Sequence, residues 1–315
     1  NNITGGVIWK HLLLFFFPIW FGTFFQQLYN TADAVIVGNF VGKGALAAVG
    51  TTAVVQNLLV GFFVGVASGA SVVISQYYGA RQGAQVQRAV HTAMAMALLG
   101  GVGIMLIGLA ASRWALSIMN TPADVMEDAV LYLRICFLGM VPSLIYNMGT
   151  GILRAVGDSK RPLYFLICAS LTNIVLDVVL VAILGMGVAG AALATVASQC
   201  VAAGMTVMSL THTTACYRFV PAYLQLDKEM VEKIVRIGLP AGLQSVMYSL
   251  SNSVVQASIN SFGTDVVAAY TAYGKIDSIF WMTMNSFGLS ITTFVGQNFG
   301  AGQYDRVKKG VRQCA

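Results

Sequence analysis

The chain has 315 residues, 57% of them hydrophobic and only 10% charged, with a mean hydropathy of +0.74. Soluble domains carry about 25% charged residues, so this composition excludes an ordinary soluble fold and marks a polytopic membrane protein. The net charge of +6 does not indicate a nucleic-acid partner, because the basic residues fall in short loops between apolar runs.

Those apolar runs predict eight helical spans at about 11–38, 46–75, 89–111, 127–151, 163–184, 188–211, 237–262 and 267–297. The first is too long for a signal-peptide core and lacks a small-residue cleavage site, so it is expected to be retained. Lys and Arg set the orientation. Fourteen fall in loops on one side, between Lys10 and Arg312, against three on the other: Lys43, Arg113 and Arg134. The N-terminus and the basic loops are therefore expected on the cytoplasmic side of the membrane. Between Leu226 and Arg236 acids and bases surround Met230, Val231 and Ile234, a pattern for a short amphipathic surface helix. Cys136, Cys168, Cys200, Cys216 and Cys314 are scattered without a CxxC pair and read as small apolar residues.

An internal repeat organises the whole. Gln76-Tyr-Tyr-Gly79-Ala80 is matched by Gln297-Asn-Phe-Gly300-Ala301 at an offset of 221, while Pro18 and Asn30 are matched by Pro240 and Asn252 at 222. Six spans lie between the copies. Six is even, so the halves run in the same direction about an axis along the membrane normal. A second half as long as the first implies about 440 residues and twelve spans, so this chain, which starts without Met and stops in a basic loop, is expected to be a fragment. The expected organisation is a first lobe over 1–212, a linker with the amphipathic segment over 213–236, and the start of a second lobe over 237–315.

Asp33, Asp177, Lys275 and Asp277 are the ionisable side chains expected deep in spans. A charge there costs about 2.5–3.5 kcal/mol or more and persists where it faces a cavity or a partner. Gln26, Asn30 and Asp33 share one helical face, as do Asn173 and Asp177 one turn apart. Two carboxylates with amide and hydroxyl oxygens nearby suit a sodium ion or a shared proton. The alternative is that each acid simply hydrogen-bonds across a helix interface. By the repeat, Asp33 falls opposite Val255 and Asp277 opposite Gln56, so a cation site belongs to the first half. Lys275 and Asp277 read as substrate contacts or a gating salt bridge, and Lys275 also as a snorkelling base. Gln244, Tyr248, Asn252, Gln256 and Asn260 form a second polar stripe at i, i+4 spacing. Together with the first stripe it predicts a wet cleft between the halves, the alternative being interhelical hydrogen bonds.

No GxxxxGK[ST] loop occurs, since GNFVGKGA after Ile36 is mis-spaced, and no nucleophile–histidine arrangement stands out, so neither ATP nor enzyme chemistry is expected. No cofactor is expected beyond a coupling Na⁺ or H⁺.

The run from Leu28 through Asp33 to Gly38 resembles the first helix of the multidrug and toxic compound extrusion (MATE) family. The resemblance continues through Ala47–Gly50, Arg154–Pro162 and Val295–Ala301, in family order and spacing, and is nearest the prokaryotic branch of the DNA-damage-inducible F proteins. It implies an all-α, two-lobed bundle of the MOP superfamily, here truncated to about eight spans. The implied activity is export of organic, often cationic, drug-like compounds against inward flow of Na⁺ or H⁺, by a monomer in a lipid bilayer. Asp33, Asn173, Asp177 and Thr195 fall on the family's cation-binding positions. Tyr132 and Asn147 fall on polar cavity positions, and Pro18 on a proline at which some members bend their first helix. A flippase for lipid-linked precursors in the same superfamily is the rival reading, though it would be expected to carry a more basic cavity.

Overall fold

A computed structural model describes residues 3–119, 121–260, 262 and 264–314, with eighteen side chains left aside, at 43–48, 51, 53, 54, 257, 260, 264, 265, 267, 268, 271, 272 and 275. Among the described residues every regular element is helical. The elements are α1 (Ile8–Phe40), α2 (Lys43–Gly79), α3 (Gly83–Ile118), α4 (Met126–Leu138), α5 (Met140–Ala155), α6 (Lys160–Asp177), α7 (Gly187–Thr211), α8 (Lys228–Asn260), α9 (Thr264–Gly300) and α10 (Tyr304–Cys314). A π-helical segment, Val178–Ile183, continues α6, and a short 3₁₀ turn, Pro221–Tyr223, precedes α8.

Five helices are long and apolar enough to cross a membrane, namely α1, α2, α3, α6 with its π segment, and α7; the pair α4–α5 makes a sixth. The pair corresponds to the span expected at about 127–151, and it bends by 47° at Gly139. Two local features account for the bend. Pro142 has no N–H to give the carbonyl of Leu138, and the Val196 side chain of α7 reaches within 2.9 Å of where a Cβ at Gly139 would stand, so only glycine leaves it room. Helices α8 and α9 have spanning length, 33 and 37 residues, but less apolar sequences. Their polar rows dilute the hydropathy below that of the other spans. No break separates the acid–base segment from the helix after it. Residues 228–236 are the opening turns of α8, and Pro240, like Pro18 in α1, lies inside an unbroken helix.

The repeat is visible as reciprocal packing. Helix α2 packs on α8 as α1 packs on α9, and α2 also packs on its own counterpart α9. A side chain at Gly79 would meet the backbone carbonyl of Gln297, and one at Gly300 would meet that of Gln76. Each glycine abuts the other copy's glutamine, as a two-fold axis between them requires. Along α2·α8, Gly61-x-x-x-Gly65-x-x-x-Gly69 lies against Ser245, Gly242 and Gly238, so close at the last two that any Cβ would strike backbone. Along α1·α9, Phe16 stacks on Phe287 at 4.1 Å between centroids, and Trp20 Nε1 donates to Thr283 Oγ1 at 3.1 Å.

These contacts lie toward the basic-loop side, where further links pin the halves together. Arg88 donates through Nε to Asp227 at 3.0 Å, and Lys233, paired within its own helix with Glu229 at 2.6 Å, reaches across to Tyr77 at 2.7 Å. The buried ring of His91 accepts from the Val220 amide at 3.1 Å, which ties the inter-half segment to α3. Gln297 donates to the Ala155 carbonyl at 2.6 Å, and Arg306 grips the carbonyl of Gly6 at 2.9 Å.

Candidate functional site

Four helices converge on the acid of α1. Asp33 is half-buried three turns beyond Trp20, on the side of the bundle away from the basic loops. Helix α6 brings Asn173 and Asp177, both wholly buried, onto the same spot, and α4 supplies Tyr132, 5% exposed. The chain then turns back through Gly185 (φ +63°) and Gly187 (φ +59°), a conformation that favours glycine, and α7 returns alongside with Thr195. The π segment starts at the residue after Asp177, and such segments frequently mark functional positions. An apolar shell of Val37, Val181, Val188 and Ala191 packs around Tyr132 and excludes bulk solvent.

The Asp33 and Asp177 carboxylates are within hydrogen-bonding reach of one another, and the Tyr132 hydroxyl neighbours both. Two carboxylates so placed cannot both carry charge without a counter-ion. Asp33 Oδ1, both oxygens of Asp177 and both amide atoms of Asn173 are shielded from solvent and have no hydrogen-bond partner in the protein. Buried polar atoms are nearly always satisfied, so this cluster calls for an occupant. Oxygen donors, net negative charge and a dry shell fit a hard monovalent cation, or a proton shared between the acids. Among the described residues no group of three or more His, Cys, Asp or Glu could hold a transition metal.

The structure therefore joins Asp33, Tyr132, Asn173 and Asp177 into one site. Thr195 stands nearby with its hydroxyl donating to the Ala191 carbonyl at 3.1 Å. The remaining sequence candidates form a separate set. Gln26 and Asn30 are exposed on α1, and Tyr248, Asn252 and Gln256 are exposed on α8. Tyr248 leans on Trp281 at 5.4 Å, and Asp277 accepts from the Tyr273 hydroxyl at 3.1 Å. Asn147 is half-buried on α5 and donates to the Ser143 carbonyl at 2.8 Å. The Lys275 side chain lies outside the described residues. The two larger cavities, about 550 and 370 Å³, open on the basic-loop side beside Gln76 and Gly79, away from the acids.

Sequence reasoning missed three neighbours. Tyr29 meets Gln26 and lies within electrostatic reach of Asp33, while Cys136 lies next to Tyr132 and the Gln56 amide. The i, i+4 spacing of Tyr132 and Cys136 was the available signal; the cysteine had been read only as a small apolar residue.

Parallel repeats crossing a membrane, with a buried acid pair in one of them, define a multi-pass helical transporter rather than an enzyme. The chain belongs to the multidrug and toxic compound extrusion family: the MatE family model matches residues 18–179 and 240–315. YoeA, a probable multidrug resistance protein of Bacillus subtilis, is 33% identical over 97% of this chain and 67% of its own length. An FAD transporter of Shewanella oneidensis is 24% identical over 90% of this chain and 63% of its own. A solved outward-facing structure of a multidrug resistance MATE transporter of the MOP superfamily matches with a TM-score of 0.92. It is 25% identical, and the match covers 99% of this chain and 70% of that one. The chain thus spans about two thirds of the relatives it matches.

Proposed function

We propose that this chain is the first lobe and opening helices of a cation-coupled efflux antiporter for small organic compounds in the bacterial inner membrane. The observation that carries the reading is the Asp33–Asp177 pair, buried, mutually adjacent and without donors of its own. Residues 1–212 act as the lobe that holds the coupling ion, 213–236 as the linker, and 237–315 as the start of the second lobe. The basic side is cytoplasmic, by the excess of Lys and Arg there. Contacts between the halves cluster on that side, which supports a state closed to the cytoplasm and open outward. In that state Na⁺ or H⁺ reaches the acids from outside, and neutralising them removes the charge repulsion that an empty pair sustains. Substrate, held along the exposed rows of Gln26 and Asn30 on α1 and Tyr248, Asn252 and Gln256 on α8, leaves. Return inward follows release of the ion. Coupling needs ion and drug each to bind one state better, since equal affinity for both shifts nothing.

The test uses the full-length protein in proteoliposomes loaded with a fluorescent organic cation. Inward Na⁺ and H⁺ gradients are imposed separately. Asp33→Asn is expected to abolish gradient-driven efflux, a loss of at least about 100-fold, while leaving the protein folded. Undiminished efflux in that variant sinks the proposal. Efflux under neither gradient, in the unmutated protein, points instead to lipid-linked substrates.

A further inference from the structure

Behind the acid pair, where α2, the α4–α5 bend and α7 meet, a small cavity of about 40 Å³ opens within the first lobe. Its wall includes Gln56, Cys136, Met140, Ser143, Thr195 and Gln199. Drug-sized ligands need roughly 300 Å³ or more, so none fits. A water needs about 10–15 Å³ of such space and two to four polar partners, so the cavity has room for one to about three. Two amide atoms on the wall are shielded from solvent and make no hydrogen bond of good geometry in the protein: Gln56 Nε2, a donor whose neighbour is the weakly accepting Cys136 thiol, and Gln199 Oε1, an acceptor.

A donor and an acceptor on one void are the complement of a water molecule, which takes a proton from one amide and gives one to the other. The Thr195 hydroxyl donates to the Ala191 carbonyl and keeps lone pairs free to accept, and Ser143 adds a second hydroxyl. A bare cation suits the space less well, because it would meet the hydrogens of Gln56. Toward the acids, the Gln56 amide faces the Cys136 thiol, the thiol faces the Tyr132 hydroxyl, and that hydroxyl lies within electrostatic reach of Asp33 and Asp177.

We propose that this compartment is a buried water site, held by Gln56 and Gln199, that hydrates the acid pair from behind as the coupling ion comes and goes. Thr195 stands on its wall, so water site and ion site meet at one hydroxyl. Gln56 and Gln199 are positioning residues, acting through the water. The ion-hydrating role rests on the antiporter reading; the existence of the water site does not.

Radiolytic footprinting in ¹⁸O-labelled water, on the full-length protein, tests the site directly. Hydroxyl radicals born from a resident water oxidise the thioether or thiol beside it. Met140 lines the cavity and is 4% exposed, while Met148 sits in the dry core at 3%, so exposure alone predicts equal rates. Met140 is expected to take up ¹⁸O at least about fivefold faster than Met148, and Cys136 with it. The excess is expected to vanish in Gln56→Leu/Gln199→Leu. Equal labelling of Met140 and Met148 in the unmutated protein overturns the proposal whatever the variants do. The second arm measures the ion concentration for half-maximal efflux in Gln199→Leu, expected to rise about tenfold with drug affinity unchanged. An unchanged ion requirement overturns the hydrating role. Failure of the antiporter reading would show separately, as absence of ion-driven efflux in the unmutated protein.

Discussion

Along the seam of α2 and α8 the halves touch backbone to backbone, with Gly65 and Gly69 set against Gly242 and Gly238. Along the matching seam of α1 and α9 they are held apart by Phe16 on Phe287 and Trp20 on Thr283. By the repeat these are equivalent positions: Phe16 corresponds to Gly238, and Trp20 to Gly242. The same architecture is thus closed tightly on one flank and padded on the other. The padded flank carries Asp33 further along its helix, and the tight flank carries Val255 at the equivalent place. Close backbone contact resists sliding, because every atom displaced has a rigid neighbour. A cushion of side chains can repack. The expectation is that α1, the helix that bears the acid, repacks more readily than α8.

The comparison can be broken most severely by a covalent lock. A Cβ at Gly61 would lie 3.6 Å from that of Ser245, within the span of a disulfide. Gly61→Cys with Ser245→Cys is expected to cross-link on oxidation and to stop efflux until reductant is added; efflux from the cross-linked protein would show that this seam never opens. Next in size, Gly65→Leu drives a side chain into the Gly242 backbone and is expected to cost about 3 kcal/mol or more, read as a fall in the thermal midpoint of purified protein. On the padded flank, Trp20→Phe removes the hydrogen bond to Thr283 and trims the ring that stacks on Phe24, and is expected to cost about 1–2 kcal/mol in the same measurement. A loss as large as that of Gly65→Leu would erase the distinction between the seams.

The smallest effect concerns acid. The tight flank extends into the Arg88–Asp227 and Lys233–Glu229 pairs, whereas the padded flank ends on Arg306 and neutral carbonyls. The hydrogen bond from Arg88 holds the Asp227 carboxyl below its usual range. Its contribution is present above the ordinary carboxylate pKa and is lost as pH falls through the lowered one. Below about pH 4, protection against hydrogen exchange, taken relative to the intrinsic rate at each pH, is expected to fall at residues 228–236 while that at residues 3–6 holds steady. An equal fall at both ends would contradict it.

The paired seams were legible from a single alignment of the chain on itself, because Gln76 with Gly79 and Gln297 with Gly300 occupy corresponding places and meet across the axis. The acid pair was half legible. Spacing put Asp33 on a polar face and Asp177 beside Asn173, but only the family resemblance put the two faces together. The kink at Gly139 and the merging of the acid–base segment into α8 were not read. A proline three residues after a glycine bends a helix only when a neighbour such as Val196 closes in, and an amphipathic start differs little from a surface helix until its continuation is seen. The cavity of Gln56, Cys136 and Gln199 was out of reach, since its walls come from four helices and no one segment carries its pattern.

The two seams also carry information about ancestry. Gly79 and Gly300 satisfy one another across the axis in the same way, so two identical chains paired face to face could have built that contact. Identical chains could never have built the other one. Each copy would be obliged to present the same residue at both seams, tryptophan opposite threonine twice or glycine opposite phenylalanine twice. A bundle with one tight flank and one cushioned flank is open only to halves free to diverge, and fusion into one chain grants that freedom. The reciprocal glycines keep the symmetric contact, and the tryptophan of α1 marks where the two halves differ.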